Sequence, residues 1–84
     1  MMYSDFPVVI SAQAKKNYHL DISFSSGERK VFDMSPYLEK GLFQQLKKPE
    51  VFNSFFIAND TVNWLGGDLD IAPATLYLKG LTQT

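Results

Sequence analysis

The chain has no cysteine, a single histidine and no excess of either charge across its 84 residues. Without cysteine neither a disulfide frame nor a thiolate zinc site can form, so the fold has to hold without an oxidising compartment. Eight basic and nine acidic side chains leave a net charge of −1. Lys15-Lys16 and Lys47-Lys48 are pairs rather than a stripe, and binding through the phosphate backbone needs a patch that neutralises several phosphates. The balance argues against direct nucleic-acid binding by the domain alone, and these lysines read as solvated charges at element ends. Long apolar runs are also missing: nothing approaches the ~20 residues needed to span a bilayer. Met1 to Pro7 lacks a basic region followed by an apolar stretch, so no signal peptide is expected. The expectation is a cytoplasmic protein with no membrane partner.

What the chain does have is hydrophobic mass: 45% apolar residues, with seven Phe, four Tyr and one Trp. A chain this short buries only about 60–65% of its unfolded surface, so rings that each bury roughly 150–250 Å² must supply much of the core. The length fits one domain over 1–84, with an ordered core over about 8–78.

Period-two alternation predicts strands. Val8, Ile10, Ala12 and Ala14 are expected on one side of the first, and Tyr18, Leu20, Ile22 and Phe24 on one side of the second. Ser25 to Glu28 is a tight turn in which Gly27 supplies positive φ, and Arg29 to Asp33 returns as the third strand. Ser35 is expected to cap a helical turn opened by Pro36. Gly41 is expected to stop that turn, and Leu42, Phe43 and Leu46 to form a second one that ends at Pro49. Phe55 to Ala58 and Thr61 to Trp64 make a hairpin around Asn59-Asp60. Gly66-Gly67 breaks the strand, Pro73 to Leu78 is a helical turn, and Gly80 to Thr84 is expected to fray. The order is β-β-β-α-α-β-β-α, an α+β class with a small antiparallel sheet and short helices.

Few residues carry chemistry. His19 falls on the polar face of its strand, with no nucleophile in a suitable context nearby. Asp68 and Asp70, with Asp60, offer oxygen ligands for a hard cation, but turn chemistry at the entrance to the last helix is the preferred reading. Gly66-Gly67 lacks the further glycines of a phosphate loop. No catalytic residue, metal or cofactor is expected. Phe55 and Phe56 are consecutive in a strand and must point to opposite faces, so one of the two rings needs covering by a helix or another chain.

Three stretches together resemble the bacterial family designated domain of unknown function 2442. They are His19 to Asp33, Ser35 to Leu46 with Pro49 and Phe52, and Trp64 to Tyr77. Asp33, Pro36, Gly41, Trp64, Gly67, Asp70, Pro73 and Tyr77 form the structural signature. The departures are Leu65, where Pro commonly follows the Trp, a slightly long segment from Trp64 to Asp70, and Ala74, where an acidic residue is usual. The resemblance implies a small stand-alone bacterial protein whose relatives are sometimes fused to a helix-turn-helix domain. It also implies a neighbouring small gene, hence a two-gene regulatory or toxin–antitoxin-like pair. It carries no catalytic residues. The expected function is a non-enzymatic protein-interaction module, with a protein partner or as a homo-oligomer and with Phe55 or Phe56 as anchor. The alternatives are a component of a nucleic-acid-associated transcriptional regulator, or a small-ligand or metal-binding protein.

Overall fold

In the computed structural model the described residues are 7–82; the N-terminal residues 1–6, and Gln83 and Thr84 of the expected frayed tail, lie outside them. Three strands, β1 (Val9–Lys15), β2 (His19–Phe24) and β3 (Arg29–Asp33), follow one another as antiparallel hairpins. β2 buries Leu20, Ile22 and Phe24 on one face, as its alternation requires. Gly27 takes a φ of 92° in the following turn, where the Phe24 N–H donates to the Glu28 carbonyl at 2.9 Å.

β1 departs from the expected faces. Its pairing slips between Val9 and Ser11, a bulge that inverts the side-chain parity along the strand. Val9 is therefore buried at one end and Ala12 and Ala14 pack inward at the other, while Ile10 is 60% exposed. The β1–β2 connection is Lys16–Tyr18, with Asn17 and Tyr18 at φ of 59° and 62°. A positive φ is costly for so bulky a residue as Tyr. Tyr18 is held by its hydroxyl donating to the Lys47 carbonyl and by its ring edge against Phe52 at 5.3 Å.

The helical middle is mostly 3-10 helix. Ser35–Tyr37 and Gly41–Lys47 are such turns, and Gly41 has a φ of 47°. Ser35 is not the cap; its own N–H donates to Asp33 Oδ1 at 2.8 Å, so the capping acceptor lies two residues earlier. The second turn ends at Lys47, as expected, with Lys48 extended ahead of the proline. Pro49 then opens a further short helix, α1 (Pro49–Phe52), where a first-turn position spares its missing N–H.

A second sheet follows, made of β4 (Phe56–Ala58), β5 (Thr61–Trp64) and β6 (Leu69–Asp70) in that order. Asn59 and Asp60 have φ of 53° and 69°, the two left-handed positions that a tight two-residue hairpin demands. The class is α+β, with two antiparallel sheets rather than one. The sheets meet where the Val9 N–H donates to the Asp60 carbonyl at 3.0 Å and where β1 lies against β4 and β5.

One apolar cluster joins both sheets: Leu20, Ile22, Phe24 and Phe32 from the first, Val62, Trp64 and Leu69 from the second, with Leu46, Phe52 and Leu76 between. Trp64 is fully buried, and its indole N–H donates to the Phe52 carbonyl at 2.9 Å. A buried indole needs such a partner.

The chain end differs from expectation. After α2 (Pro73–Lys79), β7 (Leu81–Thr82) pairs with β3, with Val31 opposite Leu81 and Lys30 opposite Thr82. The first sheet therefore runs β1-β2-β3-β7, and residues 80–82 are not a frayed tail.

Candidate functional site

The register set by the Gly27 turn pairs Ser23 with Arg29 and, further out, His19 with Asp33. Counting outward from that turn was enough to place these two side by side. His19 Nε2 stands 3.8 Å from Asp33 Oδ2, and Nδ1 lies 3.2 Å from the Lys16 carbonyl oxygen and 3.0 Å from that of Asn17. Hydrogen bonding from Ser35, through its backbone N–H and then its hydroxyl, holds the Asp33 carboxyl below the usual carboxylate range, with a smaller effect from His19. Both residues line a cleft of about 340 Å³ with Val31, Phe32, Pro36, Tyr37, Lys79 and Leu81. The Phe32 and Tyr37 rings stack at 5.6 Å. Asp33 and Pro36 of the signature thus meet in one place. A second cleft, of about 500 Å³, is lined by residues 14–18 together with Pro49, Phe52 and Asn53.

Tyr77 belongs elsewhere, in a clasp that the sequence reading missed. Its hydroxyl donates to Glu28 Oε1 at 2.7 Å. Lys30 Nζ donates to the Tyr77 carbonyl at 2.6 Å and lies 3.9 Å from the Tyr77 ring centre. Lys30 is 9% exposed; sharing strand parity with buried Phe32, it was legible as inward-facing. The Tyr77 hydroxyl, with that of Ser26 and the charge of Lys30, holds the Glu28 carboxyl low, and donating to Glu28 raises the Tyr77 phenol.

Phe55 lies just before β4 and Phe56 opens it, so the strand starts one residue later than expected. Phe55 packs against the core and Phe56 is 40% exposed, next to Ile57 at 36%. β4 is an edge of the second sheet, so exposed Phe56 and Ile57 belong to a strand with one side unpaired among the described residues.

The acidic loop does not cap α2. That helix has Ala72 at its cap with no side-chain hydrogen bond, while Asp70 pairs with Asn63 in β6 and Asp68 is exposed. Leu65, Gly66 and Gly67 all have positive φ, 56°, 66° and 100°, so the double glycine is a tight turn. Gly41 and Pro73 likewise serve backbone geometry, at a turn and at the first position of α2. Among the described residues no group of three or more His, Asp or Glu side chains is arranged to hold a metal ion, and no helix is long and apolar enough to cross a membrane.

The architecture defines a small α+β domain of two antiparallel sheets sharing one aromatic-rich core. The model of the family described as proteins of unknown function, DUF2442, matches residues 9–81, and the chain belongs to that family. No curated protein and no solved structure matches it.

Proposed function

We propose that the domain is a non-enzymatic protein-interaction module that pairs through β4 with a second copy of itself. The observation that carries this reading is the apolar, uncharged character of that edge. Natural sheet edges are blunted by charge, proline, bulges or extreme shortness. β1 is bulged and carries Lys15, β6 has two residues and an aspartate, and β7 has two residues. β4, Phe-Ile-Ala, has neither charge nor proline and exposes Phe56 and Ile57.

Pairing about a two-fold axis would set the β4 strands antiparallel and continue the second sheet across two chains. A net charge of −1 offers little repulsion between copies. So short a strand gives a small interface, and the dimer should be weak and concentration-dependent. Sedimentation velocity across a wide concentration range tests this. The expected result is a monomer–dimer equilibrium that Phe56→Lys shifts to monomer without loss of fold. A wild-type protein that stays monomeric at every concentration overturns the reading.

A further inference from the structure

The outer side of β3 differs from the other sheet edges in already carrying a strand from the far end of the chain. β7 pairs there antiparallel, with Val31 opposite Leu81 and Lys30 opposite Thr82. That seat is shallow. β7 uses two of the five positions of β3, and both of its side chains are exposed, so its backbone bonds have little burial behind them. α2, just before it, is anchored differently. Leu76 is fully buried, and Lys30 Nζ donates to the Tyr77 carbonyl at 2.6 Å. Gly80 separates the two elements, so the strand can leave β3 while the helix stays docked.

Strand parity sets what the edge reads. Lys30 and Phe32 are buried, which leaves Arg29, Val31 and Asp33 as the outward row of β3. The row is a cation, an apolar residue and an anion, and side chains opposite one another on a shared face interact directly. Val31 has Leu81 across from it. Asp33 has His19 Nε2 at 3.8 Å and the Ser35 N–H on Oδ1 at 2.8 Å. Arg29 is the charge left unanswered. It has Ser23 beside it in β2, but among the described residues it has no ion-pair partner and nothing across from it on the β7 side.

We propose that the outer edge of β3 is a strand-addition site for an acidic extended peptide, and that β7 occupies it in cis as a weak stand-in. The peptide runs antiparallel to β3, with an apolar residue opposite Val31 and a carboxylate opposite Arg29. Being tethered, β7 competes at a high effective concentration. The edge is therefore closed to weak ligands and open to those that use more of β3 than β7 does. The site is separate from β4, and its test does not depend on self-association.

The probe is acetyl-Lys-Gly-Leu-Thr-Glu-Thr-amide, which repeats the order of Lys79 to Thr82 and then sets a glutamate to oppose Arg29. Its counterpart has lysine in place of that glutamate. Each is titrated into the ¹⁵N-labelled full-length protein and followed by amide shifts and hydrogen exchange. The glutamate peptide should shift residues 29–33 and 80–82 and speed exchange at Leu81 and Thr82. It should bind several-fold tighter than the lysine peptide, the size of an exposed cross-strand charge pair. Arg29→Glu, an exposed position where loss of fold is not expected, should invert that preference. Leu81→Gly weakens the stand-in without touching β3 and should tighten the glutamate peptide, which a peptide bound elsewhere would not show. The proposal is overturned by absent shifts even in Leu81→Gly, by shifts centred on β4, by equal affinity for the two peptides, or by a Leu81→Gly variant that binds no tighter.

Discussion

Replacing Trp64 with Phe tests the reasoning about the core most directly. The indole is fully buried, donates to the Phe52 carbonyl at 2.9 Å and lies 6.2 Å from the Phe52 ring, nearly parallel to it. Phenylalanine fills part of the space and cannot donate. Leaving the carbonyl without its donor costs about 1–3 kcal/mol, and the missing ring volume adds about 1 kcal/mol as a small cavity. The sum is about 3 kcal/mol, against a total of roughly 4–12 kcal/mol for a domain of 84 residues. At about 4–8 °C per kcal/mol for this size, the midpoint should fall by roughly 12–24 °C. Urea and thermal unfolding followed by far-UV circular dichroism give the number, since the substitution removes the only tryptophan signal. Phe56→Ala, on the exposed edge, is the control and should change stability by less than about 0.5 kcal/mol. A loss below about 1 kcal/mol for Trp64→Phe would refute the account of the indole as both a packing and a hydrogen-bonding anchor.

Leu65→Pro should be severe, by about 3 kcal/mol or more, because proline fixes φ near −65° where this chain holds 56°; thermal melting reads it. Gly80→Ala should destabilise the chain end although its φ is ordinary, since a Cβ there would lie 2.6 Å from the Leu76 carbonyl oxygen. Faster hydrogen exchange at Leu81 and Thr82 is the signature. Asp33 and Glu28 both have carboxyls held below their ordinary values, so their stabilisation is present above the ordinary carboxylate range and is lost as pH falls through the folded-state values. Asp33→Asn should flatten that acid limb of the stability profile. Tyr77 has the opposite sign: its raised phenol contributes stability that is lost as pH climbs past the ordinary tyrosine value. Tyr77→Phe should remove this alkaline loss.

Elements set by local rules were legible from the residues. Leu20, Ile22 and Phe24 announced β2 by alternation, and Gly27 and Asn59-Asp60 announced their turns by backbone chemistry. The errors came where neighbours distant in sequence decide. The β1 bulge places Val9 inward and Ile10 outward because the ladder with β2 slips, and no alternation rule reveals a slip. Leu81 and Thr82 form a strand because β3 has an open side, not because two residues have a preference. Ser35 looked like a cap, yet Asp33 is nearer the free N–H. His19 and Asp33 were each recognised singly, one as a polar-face residue and one as a signature residue. Their juxtaposition followed from register arithmetic, but the cleft around them needed Lys79 and Leu81 from the returning chain.

That return also sets an order in time. The β1–β2, β2–β3, β4–β5 and β5–β6 ladders join segments adjacent along the chain, and such local pairings form quickly because little loop entropy is lost in closing them. The β3–β7 ladder instead joins Lys30 to Thr82, with the helical middle, the second sheet and α2 all lying between them in sequence. It is therefore expected to close last in refolding and to open first in partial unfolding, taking the cleft wall at Leu81 with it while both hairpin stacks stay formed.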